Sequence, residues 1–148
     1  MWLLLLLLIP CAAFGAETKI VDAFEDTSLW SAHPADGVKL ALSSDTGVKG
    51  RSLRLDFEFT GGGYAVVHRK VDLDLPENYA FSFRVRGVCD NNHLEFKLID
   101  STGENVWWKV HRDWQFNGDW QDFTIKERKI QFAWGPKGGG EISHVAAI

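Results

Sequence analysis

Ser52-Leu-Arg-Leu-Asp-Phe-Glu-Phe59 alternates without a break, with Leu53, Leu55, Phe57 and Phe59 on one side and Arg54, Asp56 and Glu58 on the other. A side-chain period of two is that of a half-buried β-strand. The pattern recurs downstream. Phe81-Ser-Phe-Arg-Val-Arg86 opposes Phe81, Phe83 and Val85 to Ser82, Arg84 and Arg86, and Leu94-Glu-Phe-Lys-Leu98 repeats it after Gly87-Val-Cys-Asp-Asn-Asn-His93. Gly, Asp and Asn mark that link as a turn, so the two runs are expected to pair as antiparallel neighbours.

Asn105 to His111 alternates afresh, with Val106, Trp108 and Val110 on one face and Trp107, Lys109 and His111 on the other. Asp119 to Ile125 follows the Asn117-Gly118 turn, and Lys129 to Trp134 precedes the loop Gly135-Pro-Lys-Gly-Gly-Gly140. Lys19 to Phe24, Val38 to Ser43 and Gly63 to Val71 are further strand candidates upstream. Helical periodicity is nearly absent. Many short strands with turns between them predict an all-β fold, a two-sheet antiparallel β-sandwich of jelly-roll form. The closing His144-Val-Ala-Ala-Ile148 reads as the start of another strand with no turn behind it. The expectation is therefore a truncated reading frame and a sandwich whose C-terminal strand is missing.

The N-terminus is of a different kind. Met1 to Ala16 is an apolar run ending in small residues, too short for a comfortable membrane span and placed where a secretory signal belongs, although no Lys or Arg precedes it. Residues 1–16 are read as a signal peptide cleaved after Gly15 or Ala16, and residues 17–148 as one domain, secreted or periplasmic, with no membrane span after signal removal. Cys89 is the only cysteine in that domain, so no internal disulfide is expected. The net charge of −4 comes from Lys and Arg scattered among Asp and Glu, which argues against a nucleic-acid surface.

In order along the chain stand Val21-Asp-Ala-Phe-Glu-Asp26 with Trp30, Gly47-Val-Lys-Gly50 before Ser52-Leu-Arg-Leu, and Gly61-Gly-Gly-Tyr64. Phe81-Ser-Phe-Arg-Val-Arg-Gly87, Leu94-Glu-Phe-Lys-Leu-Ile-Asp100 and Trp120 follow. The series resembles the galactose-binding-domain-like jelly rolls, in particular family 11 type carbohydrate-binding modules and complex I assembly-factor-like domains. The resemblance spans about Ile20 to Ile148. It implies sugar binding on a concave sheet, and a structural calcium near the first strand for which Asp22, Glu25, Asp26 and Asp45 are the candidate carboxylates.

Four tryptophans crowd into Trp107 to Trp120. Trp108 and Trp120 are in phase with, or open, inferred core strands, whereas Trp107 lies opposite and is the ring expected to stack on a sugar. Lys109, His111, Arg84, Arg86, Tyr64 and His68 are its expected polar partners. The alternative is that Trp107 packs beneath a loop and the charges form a solvated face. Trp114 and Trp134 sit in or beside loops and fit either a site rim or a sandwich cap.

Catalytic motifs are sparse. His33, His68, His93, His111 and His144 show no metal-binding spacing, and the Gly61 to Gly63 and Gly138 to Gly140 runs lack the Lys-Ser/Thr of a phosphate loop. The expected function is non-catalytic carbohydrate binding by an exported module of a larger polysaccharide-acting protein. The alternatives are an envelope protein-interaction or assembly domain, and a jelly-roll polysaccharide lyase or hydrolase.

Overall fold

The alternating runs become strands in the computed structural model, which describes residues 17–148. They are β1 (Trp30–Pro34), β2 (Val38–Thr46), β3 (Arg51–Phe59), β4 (Ala65–Asp74), β5 (Ala80–Val85), β6 (Asn92–Ile99), β7 (Val106–Trp114), β8 (Gln121–Lys126), β9 (Gln131–Trp134) and β10 (His144–Ala147). The fold is all-β: a curled antiparallel six-stranded sheet, β1-β4-β10-β6-β7-β9, with the two-stranded ribbons β2–β3 and β5–β8 as smaller sheets in a β-sandwich. The signal-peptide reading falls on residues 1–16, outside the described residues.

Three expectations about strands change. Lys19 to Phe24 forms no strand, because Asp22 accepts a hydrogen bond from the Phe24 N–H at 2.6 Å and Phe24 turns the chain with φ 59°. β1 was hidden in Trp30-Ser-Ala-His-Pro34, a segment of weak β propensity whose Pro34 is tolerated on a sheet edge. β5 and β6 do not pair. β5 pairs with β8 and β6 with β7 and β10, so the Gly87 to His93 link crosses between layers. The two strands meet face to face, with Phe96 5.0 Å from Phe81 and 5.5 Å from Phe83 between ring centroids.

Between the layers sits the core of Leu98, Trp107, Ile142 and Val145, flanked by Val71, Leu73, Phe81, Phe96, Phe132 and Ile148. β10 lies in the middle of the large sheet, paired with β4 on one side and β6 on the other. Ile148 continues that pairing by exchanging backbone hydrogen bonds with Arg69 at 2.8 and 3.0 Å.

Candidate functional site

Register decides which side chains leave the core. On β6 and β7 the cross-strand partners are Leu98 with Trp107, Phe96 with Lys109 and Leu94 with His111, and Phe96 and Leu98 belong to the core. Directly opposed residues share a face, so Trp107, Lys109 and His111 point inward. The intervening partners, Lys97 with Trp108 and Ile99 with Val106, point out.

This reverses the expected phase of β7. Trp107 is 2% exposed; its indole N–H donates to the Gly140 carbonyl at 2.7 Å and its ring meets Phe132 edge-on. It packs beneath the Gly135 to Gly140 loop and presents no face for stacking. The alternation misled because both faces of the strand are covered where it begins, Val106 being buried as well as Trp107.

His111 packs edge-on against Trp114 and Phe123, with centroids 5.5 and 5.1 Å away. Burial, and then the charge of Lys109, push its pKa below the ordinary imidazole value, and its buried Nε2 has no hydrogen-bond partner. It is a half-buried ring packed among aromatic side chains.

The remaining expected partners scatter. Arg84 pairs with Asp122 at 2.6 Å on the outer surface of the β5–β8 ribbon. Arg86 lies over the Trp120 ring at 5.1 Å, and Trp120, which its sequence position assigned to the core, is half-buried. Tyr64 is exposed just ahead of β4. His68 alone of the set stands within the large sheet on its outer face, opposite Ser31 of β1. The seven side chains therefore form no single site.

The outer face of the large sheet carries a cluster that the sequence reading missed. Trp108 and Trp134 meet edge-to-face, centroids 5.4 Å apart and planes at 88°. The Lys97 ammonium lies 5.9 Å from the first ring and 5.3 Å from the second, and Glu95 holds it at 2.8 Å. Across the sheet, the stacked imidazoles of His33 and His68 have centroids 4.4 Å apart. Burial, then His33, then Lys97 lower the His68 pKa. From β4 to β9 this face is four strand spacings wide, on the order of 19 Å.

Trp134 reaches this face through a bulge. On β9, Trp134 partners Val106 while Phe132 partners the next residue, Trp107. Ala133 is thereby the extra residue, and two side chains that strict alternation would put together are separated to opposite faces. The loop beyond is clamped by the buried Asn105, whose amide donates to Asp100 at 2.8 Å and whose Oδ1 accepts from the Lys137 N–H at 2.7 Å. Gly135, at φ 132°, lies against this clamp so closely that a Cβ would fall 2.5 Å from Asn105 Oδ1. Trp134, 47% exposed, is thus an accessible ring on a braced support. Such a surface can stack on a flat apolar face while Lys97 and Glu95 donate and accept hydrogen bonds.

The four carboxylates considered for calcium do not converge. Asp22 is ion-paired with Arg69 and accepts from Trp30 Nε1 at 2.7 Å; Glu25 accepts from the Arg51 N–H. Asp26 caps the 3-10 turn Thr27–Leu29 through Ser28, and Asp45 faces Arg54 and the Thr46 N–H. Each is already held by cations, hydroxyls or amides. No group of three or more His, Cys, Asp or Glu side chains suited to a metal occurs among the described residues.

No protein-family model, curated protein or solved structure matches the chain.

Proposed function

We propose that this protein is a non-catalytic carbohydrate-binding module, exported and belonging to a larger polysaccharide-acting protein, and that it holds its ligand on the outer face of the six-stranded sheet. The observation that supports this reading is the Trp108–Trp134 pair with the Lys97 ammonium beside both rings. Indoles offer flat apolar area at little entropic cost, and a pyranose presents a flat C–H face ringed by hydroxyls that Lys97, Glu95 and the His33–His68 pair can meet. The ring that carries the reading is Trp134, in place of Trp107.

Affinity electrophoresis on soluble polysaccharides, followed by a glycan array, tests it. Trp134→Ala is expected to lose about tenfold in affinity, and Trp120→Ala, on the other layer, to bind as before. Wild-type binding that survives both Trp134→Ala and Trp108→Ala would overturn the site. A blank array with a reproducible protein partner in pull-down would favour the assembly reading. New reducing ends or unsaturated products would overturn the non-catalytic one.

A further inference from the structure

The five histidines have no metal-binding spacing along the chain, yet the sheet brings two of them into contact. His33 lies on β1 and His68 on β4, one diagonal step apart in an antiparallel pair whose register sets Ser31 opposite His68 and His33 opposite Val66. Their rings stack at 4.4 Å with a tilt of 30°. Both stand on the outer face of the large sheet.

Ser31 determines which nitrogen is free. Its hydroxyl contacts two groups: the His68 backbone carbonyl at 3.3 Å and His33 Nε2 at 2.9 Å. A carbonyl only accepts, and a serine has one proton to give. Both bonds form together in one way: Ser31 donates to the carbonyl and His33 donates its Nε2–H to Ser31. That tautomer leaves the His33 Nδ1 lone pair unused. A ring N–H anchored on an oxygen while the other nitrogen stays open is the second-shell arrangement of metal-binding histidines.

From this geometry we infer that His33 and His68 form a two-histidine site for a borderline divalent transition metal such as Zn²⁺, Ni²⁺ or Cu²⁺. Imidazole suits these ions. Bonds of about 2.0–2.1 Å to each nitrogen put the two donors about 3.3 Å apart in a tetrahedral site, a separation comparable with the 4.4 Å between the two ring centroids. Glu95 offsets the Lys97 charge that would otherwise repel the ion. Since no third His, Cys, Asp or Glu completes a cage among the described residues, the ion keeps open positions directed away from the sheet.

Titration of the whole chain with ZnCl₂ and NiCl₂ by calorimetry, alongside imidazole NMR shifts, tests the site and requires no sugar. One equivalent is expected to bind, with the His33 and His68 resonances moving together. His33→Ala and His68→Ala should each weaken binding about tenfold or more, and Ser31→Ala by less. The metal-free melting temperature of each variant checks that it is folded. His144, which faces Asp74 and Asp72 at 2.8 and 3.5 Å, is the competing ligand on the same face. Binding that survives both His33→Ala and His68→Ala, that disappears in His144→Ala, or that is absent from the wild type would overturn the inference.

Discussion

The ribbons β2–β3 and β5–β8 are built to one pattern and finished differently. Each is a two-stranded antiparallel ribbon with one apolar face and one charged face. Under β5–β8 the apolar face is closed: Phe123 and Ile125 are buried, and Phe83 stacks on both Phe96 and Phe123. Along β2–β3 the apolar face consists of Val38, Leu40, Leu42, Leu53, Leu55, Phe57 and Phe59, of which only Val38 is buried, and Phe57 remains 39% exposed. Alternation shows which face of a strand seeks burial. It does not show how completely the opposing layer provides it.

The largest effect expected from this contrast comes from truncating one ring in each half. Trp107→Ala should cost about 3–5 kcal/mol, because it opens a cavity in the closed half and leaves the Gly140 carbonyl without its donor. Phe57→Ala should cost about 1 kcal/mol or less, as a partly solvated ring loses little. Urea midpoints compared at a common slope measure both. Equal losses would show that the β2–β3 ribbon is closed in solution.

The open half has a fastener of another kind. Beneath it, Asp22 joins Arg69, with Trp30 Nε1 on the same carboxylate, and the two charged side chains are 8% and 17% exposed. Removing one partner of a mostly buried pair leaves the other charge stranded. Asp22→Ala should cost about 3 kcal/mol and loosen the residues ahead of β1. Hydrogen exchange sharpens the point: β2–β3 amides should exchange faster than those of β6–β7 in the wild type, and faster still in Asp22→Ala. Uniform protection across both halves would erase the distinction.

Most strands were legible because one of their faces is wet. Ser52 to Phe59 and Phe81 to Arg86 carried their own register, and the structure moves their ends by no more than one residue. The candidate site was not legible, for three physical reasons. β7 begins covered on both faces, so Val106 and Trp108 looked like the inward set when Trp107 was. The bulge at Ala133 separates Phe132 from Trp134, which no alternation rule anticipates. Finally, His33 and His68 are distant in sequence and become neighbours only through β1–β4 pairing, with β1 itself concealed by Ser31, Ala32 and Pro34. A faint signal for the outer face did exist, in that Lys97 and Trp108 are both out of phase with Phe96, Leu98 and Trp107.

The smallest effects are in pH dependence, where two histidines act with opposite sign. His111 lies under the closed ribbon against Phe123, and burial, then Lys109, hold its pKa below the ordinary value near 6.5. As pH falls through about 6.5 the unfolded chain takes up this proton first, so stability declines on the acid side until the lowered native value is passed. His68, lowered chiefly by burial, adds to the same decline. His144, on the outer face, accepts the opposite influence: its hydrogen bond with Asp74, then the charges of Asp74 and Asp72, raise its pKa. Its contribution is fully present below about 6.5 and disappears as pH rises through the raised value. His111→Phe should therefore flatten the acid limb of a stability profile recorded from about pH 5 to 8, and His144→Gln the alkaline limb. An acid limb unchanged in His111→Phe would mean that the ring is solvated, and that the closed half is more open at Phe123 than its packing implies.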